Sequence, residues 1–107
     1  MAVNLHIESR NGSPERIELA LQGELDLATA AWLRDAVRDA SQSHDEVIVD
    51  LRGLTFLDST GLRVLMEALR DSQDDAWTLS VVPGPDPVQR VFEVSGTERL
   101  VPFVAAV

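Results

Sequence analysis

Leu5 and Ile7 alternate with polar neighbours, as does Val3 before them, and Ile17, Leu19 and Leu21 repeat the pattern. A period of two marks half-buried strands. Residues 9–14 between them contain Asn11-Gly12, a strong two-residue turn signal, so an antiparallel hairpin turning at that pair is predicted. After Gly23-Glu24-Leu25-Asp26 the period lengthens. Leu33, Ala36, Val37 and Ala40 recur at i, i+3, i+4 and i+7, which predicts a helix over residues 29–43. Val47-Ile48-Val49-Asp50-Leu51 reads as a short buried strand, and residues 52–58 as the connection to a second helix over 59–72. The inner stripe of that helix is Leu62, Leu65, Met66 and Leu69. Residues 77–82 form the next predicted strand. Pro83-Gly84-Pro85 breaks the chain, and Asp86-Pro87 opens a third helix with a capping acid and a proline at its first position. Val88, Val91 and Phe92 face inward from it, Gly96 ends it, and residues 100–104 form a last strand whose Pro102 suits a sheet edge.

The order β-β-α-β-α-β-α-β predicts one α/β domain over residues 1–107, with a mixed, mostly parallel sheet and an N-terminal antiparallel hairpin. If successive strands are neighbours, right-handed crossovers place every helix on one face.

Charge narrows the function. Eighteen acidic against nine basic residues give −9, which repels nucleic acid and anionic membrane alike. All the basic residues are arginines, so chemistry that needs a lysine is excluded. Cysteine is absent too, removing disulfides, thiolate nucleophiles and Cys-based metal sites. With no apolar span of membrane length and no signal-peptide layout at the N-terminus, a soluble cytoplasmic protein without membrane insertion is expected.

Open α/β sheets place their chemistry at the carboxyl ends of the strands. Glu24-Leu25-Asp26, the segment after Asp50, and Pro83-Gly84-Pro85 all arrive there. In the middle segment, Leu54, Phe56 and Leu57 are read as filling the gap between strand and helix. Asp58 is read as the N-cap of the second helix, accepting from the amides of Thr60 or Gly61. Leu57 and Leu62 then form a hydrophobic staple, and Ser59 becomes the first helical residue with its hydroxyl outward. A phosphate on Ser59 is expected to lie against the positive end of that helix.

Phe56-Leu57-Asp58-Ser59-Thr60-Gly61-Leu62, preceded by Val47-Ile48-Val49-Asp50-Leu51, resembles the central motif of the sulphate transporter and anti-sigma factor antagonist (STAS) domains. Leu21-Gln22-Gly23-Glu24-Leu25-Asp26 is similar to that family's entry to its first helix. Val88-Gln89-Arg90-Val91-Phe92-Glu93-Val94-Ser95-Gly96 is similar to its third helix and closing glycine. The single-domain form most resembles the bacterial anti-sigma factor antagonists. What the resemblance implies is a phosphorylation-controlled switch. The unphosphorylated antagonist binds an anti-sigma factor that is also a serine kinase. Phosphorylation of Ser59 breaks that partnership, and a serine phosphatase restores it. Asp26, Asp58, Ser59, Thr60, Gly61 and Arg63 would form the partner-binding surface, with no cofactor and no catalysis by the chain itself. Two departures stand out. Family members continue into a C-terminal helix where this chain reads Val104-Ala105-Ala106-Val107, an expected loss that would leave an apolar strip uncovered. Thr97 replaces a commoner apolar residue.

Other readings lack residues they need. A receiver domain built on Asp50 requires a lysine. A serine hydrolase built on Ser59 requires a base and the glycines of a nucleophile elbow, whereas Leu57 and Gly61 stand at those two positions. Asp71, Asp74 and Asp75 lack the glycine and glutamate of a calcium loop and read as a solvated turn. Gly84 lies between prolines that cannot donate to a phosphate. Within the family, the alternative is a non-switching scaffold subunit of a stress-signalling or lipid-transport assembly.

Overall fold

The computed structural model describes residues 4–106, so Val3 of the predicted first strand lies outside the described residues. Four strands, β1 (Leu5–Ser13), β2 (Arg16–Leu25), β3 (Glu46–Leu57) and β4 (Thr78–Val82), form one sheet in the order β1-β2-β3-β4. The first pair is antiparallel and the other two are parallel. Helices α1 (Ala30–Ser43), α2 (Ser59–Asp75) and α3 (Asp86–Ser95) occupy the connections. Leu19 and Leu21 of β2, Val47 and Val49 of β3, and Leu79 and Val81 of β4 share a core with Leu33, Leu62, Leu65, Val88 and Phe92 of the helices. All three helices therefore cover one face, as right-handed crossovers between neighbouring strands require.

The opposite face carries alternating charge. Arg10 pairs with Glu8 and Glu18, and Arg16 with Glu46. At its centre Asp50 is 4% exposed and accepts from Arg52 Nη2 at 2.7 Å and from the Arg52 backbone amide at 3.0 Å. Burial pushes the Asp50 carboxyl up. The hydrogen bonds from Arg52 and its positive charge outweigh that and hold it below the usual carboxylate range.

Several predicted elements shift. The hairpin turns at Pro14-Glu15, not at Asn11-Gly12: Asn11 pairs with Ile17 and Ser13 with Arg16, and the register slips at Gly12 between them. Extending the ladder past Asn11-Gly12 adds paired backbone and keeps Ile17, Leu19 and Leu21 facing the core, which outweighs the local turn preference. The connection predicted over residues 52–58 is instead mostly strand. Ala20 pairs with Asp50 and Gln22 with Gly53, then Gly23 pairs with Leu54 and Glu24 with Phe56. Each step spends one more residue on β3 than on β2, so β3 carries two bulges. Each bulge resets the alternation, and Leu51, Leu54 and Leu57, three apart, all turn inward. Phe56 is left 48% exposed, so it does not fill the gap as expected.

The other shifts lie at element ends. Helix α1 begins one residue later than predicted, at Ala30, and α2 runs on to Asp75, so Asp71, Asp74 and Asp75 sit on its exposed last turns and not in a loop. Strand β4 starts at Thr78, leaving Trp77 outside it. In α3 the cap position falls on Pro85, with Asp86 in the first turn and no side-chain cap bond. The predicted last strand reduces to one parallel bridge, Val81 to Phe103, where Pro102 supplies only its carbonyl. Phe103 still seals the core by an edge contact with Phe92 at 5.2 Å.

Candidate functional site

At the carboxyl end of the sheet two strand-to-helix junctions lie side by side, because Leu25 and Leu57 close the β2–β3 ladder together. The Asp58 amide donates to the Leu25 carbonyl at 3.2 Å. Asp58 has extended backbone (φ −110°, ψ −177°), and its Oδ1 accepts from the Thr60 amide at 2.9 Å and the Gly61 amide at 3.0 Å. It is the N-cap of α2, in the register the sequence predicts, and Ser59 is the first helical residue. Ser59 is exposed, while Leu57 and Leu62 on either side of the cap enter the core.

Gly61 has a positional reason. A Cβ built there would lie 2.7 Å from Leu25 Cγ, 2.8 Å from the Leu25 carbonyl oxygen and 2.9 Å from Leu57 Cδ1. Only a hydrogen fits. Glycine here lets the start of α2 settle directly onto the end of β2, which brings the loop that begins at Asp26 beside Ser59.

That loop is held from within. The Thr29 side chain is 1% exposed, donates to the Glu24 carbonyl at 2.8 Å and accepts from the Asp26 amide at 3.0 Å. Asp26 Oδ1 accepts from the Ala28 amide at 3.0 Å. Asp26 is thus half-buried and locally occupied, with its loop fixed beside α2. Arg63 is exposed one helical turn beyond Ser59, on a groove also lined by Met66, Leu69, Arg70 and Leu100.

Five of the six residues singled out from the sequence therefore gather on one rim: Asp58, Ser59 and Thr60 at the helix start, Asp26 beside them through Leu25, and Arg63 one turn along. Gly61, by contrast, is buried against Leu25 and Leu57 and offers no binding surface. Sequence reasoning missed Thr29, although the Asp26-x-x-Thr29 spacing is a local signal for such a side-chain network. It also missed two apolar side chains on the same rim, Leu27 at 78% and Phe56 at 48% exposure. Nothing in their local pattern distinguishes them from core leucines and phenylalanines.

Of the two histidines, His44 lies before β3 at the amino end of the strands, and His6 on the edge strand β1 pairs with Gln22 toward their carboxyl end. Among the described residues, no group of three His, Asp or Glu side chains is placed to hold a metal ion, and no helix is long and apolar enough to cross a membrane.

Known proteins share this arrangement. An anti-sigma-B factor antagonist of Listeria monocytogenes is 26% identical over 100 residues, covering 92% of this chain and 88% of that protein. An anti-sigma F factor antagonist of Paenibacillus polymyxa is 28% identical over 103 residues, covering 94% and 87%. Among solved structures, the anti-sigma factor antagonist SpoIIAA in its unphosphorylated form superposes with a TM-score of 0.78 at 22% identity, covering 95% of this chain and 89% of that one. Its phosphorylated form superposes with a TM-score of 0.73 at 20% identity, covering 95% and 92%. The family model described as "Mlab, STAS domain" matches residues 9–102, a span that runs from β1 through α3 and contains both junctions, and on that match the chain belongs to the STAS domain family.

Proposed function

We propose that this chain is an anti-sigma factor antagonist that binds an anti-sigma factor while Ser59 is free and releases it when Ser59 is phosphorylated. The partner is itself the serine kinase, and a serine phosphatase resets the cycle. The observation that carries the reading is that Ser59 is the exposed first residue of α2 while its neighbour Asp58 does the capping. The hydroxyl is free to be modified without unmaking the helix start. The names of the curated relatives and the existence of SpoIIAA in both phosphorylation states support the same role.

In this reading Ser59 accepts a phosphate, the adjoining Asp58 carboxylate being engaged by the Thr60 and Gly61 amides, and the chain acts by binding. The rim supplies apolar contact through Leu27 and Phe56, with Asp26, Asp58, Thr60 and Arg63 around the serine. Phosphoserine adds about −1.5 to −2 charge. Desolvating that charge unpaired in a close contact costs several kcal/mol. A loss of about 4 kcal/mol weakens affinity roughly a thousandfold, enough for a switch without refolding.

The test is site mapping after incubation with the cognate kinase and ATP, followed by titration calorimetry of both forms against the anti-sigma factor. Phosphate is expected on Ser59, with binding lost in the phosphorylated form. Phosphate on Thr60 or Thr55 at wild-type yield in Ser59→Ala would refute the acceptor. Equal affinity of both forms would replace the switch with the scaffold reading.

A further inference from the structure

We infer that a phosphate on Ser59 is held within the chain by Arg63 and not by the amides of the helix start, an inference that rests on the phosphorylation reading above. A free helix N-terminus offers an anion its first amides. Among the described residues, each of those donors except the Ser59 amide has a partner. The Thr60 and Gly61 amides bond Asp58 Oδ1, and the Leu62 amide bonds the Asp58 carbonyl at 3.0 Å. The single amide left cannot match a phosphate's three oxygens, so the phosphate needs a side-chain donor.

Arg63 is placed to be that donor. It stands four residues after Ser59 on α2, and both are exposed. Side chains at this spacing have Cβ atoms about 5–6 Å apart on one helix face. Helical Cα–Cβ bonds tilt toward the N-terminus, so the long side chain at 63 leans back over the turn that Ser59 begins. An acid preceding a base by four residues is the favourable order, whereas Arg63 followed by Glu67 is the weaker one. Among the described residues Arg63 makes no ion pair, unlike Arg10, Arg16 and Arg52. A guanidinium can grip two phosphate oxygens at once, which an amide cannot.

Two carboxylates oppose it. Asp58 adjoins the serine, and Asp26 lies on the neighbouring loop, both raising the cost of a second negative charge. Arg63 offsets them and leaves α2 intact. The exposed face of α2 meanwhile loses a free cation as it gains the phosphate, so a partner that contacts Arg63 meets two changes from one modification.

Phosphorus NMR titration of the protein carrying phosphoserine incorporated at position 59 during translation tests this without any kinase. The second phosphate pKa lies near 6. Arg63→Gln is expected to raise it by about 0.3–0.5 unit relative to the otherwise identical phosphoprotein, with the gap shrinking at high salt. Arg63→Lys should recover part of the shift. Arg70→Gln, nearly two turns further along, should leave the titration unmoved. Coincident curves for wild type, Arg63→Gln and Arg70→Gln, with thermal melts showing all three folded, would overturn the inference. The kinase mapping above can succeed or fail independently of that result.

Discussion

The two strand-to-helix junctions at the carboxyl edge solve the same problem in opposite ways. At α2 a single side chain, Asp58, bonds two first-turn amides and leaves the next residue facing solvent. At α1 the cap position Thr29 has nearly helical backbone (φ −114°, ψ −11°) and makes no side-chain cap bond. Its hydroxyl turns inward to Glu24 and Asp26, and the Asp26 carbonyl accepts from the Ala30 amide at 2.8 Å. One junction is a half-buried cap beside an exposed serine. The other is a buried brace that fixes the loop next to it. The difference separates the two roles: the loop beside Ser59 is braced by buried hydrogen bonds of Thr29, while the start of α2 is capped by Asp58 and leaves Ser59 exposed.

The contact between the junctions should be the hardest to lose. Gly61→Val drives a branched side chain into Leu25 and Leu57 and is expected to cost about 3 kcal/mol or more in urea melts, with α2 displaced from β2. A loss under about 1 kcal/mol would mean that the junctions are not locked together. Breaking the brace comes next. Thr29→Val keeps the shape, removes the acceptor of the Asp26 amide and should cost about 2 kcal/mol. Faster amide exchange over residues 26–29 would show the loop loosening. Removing the cap should cost less, about 1 kcal/mol for Asp58→Ala, while Ser59→Ala should change stability by no more than a few tenths. If Ser59→Ala proved the more damaging of that pair, the serine and not the aspartate would be the cap.

Much of this was legible in the chain. Asp58-Ser59-Thr60-Gly61 with Leu57 and Leu62 carries its cap register in local chemistry, since a carboxylate that bonds its own following amides needs no distant partner. Helix faces were readable for the same reason, because Leu33, Val37 and Ala40 follow the helical period and all are buried. Strand ends were not. Asn11-Gly12 carries a strong turn signal, yet pairing with β2 carries the strand through it. The last predicted strand kept one bridge, because β4 pairs there with Phe103 alone.

The amino-acid sequence by itself determined the order of elements, the one-sided helical layer and the exposed serine behind an aspartate cap. Each follows from periodicity or from contacts within a few residues. Only the tertiary structure decided that β3 absorbs two bulges, since a bulge is defined by the partner strand it slips against. The first bulge turns Leu54 inward, where alternation from Val47, Val49 and Leu51 would turn it outward, and the second restores that alternation, with Leu57 inward and Phe56 outward. The tertiary structure also decided why position 61 is glycine: the atoms that exclude a side chain there include Leu25, thirty-six positions earlier in the chain, and proximity of that kind is a property of the folded sheet.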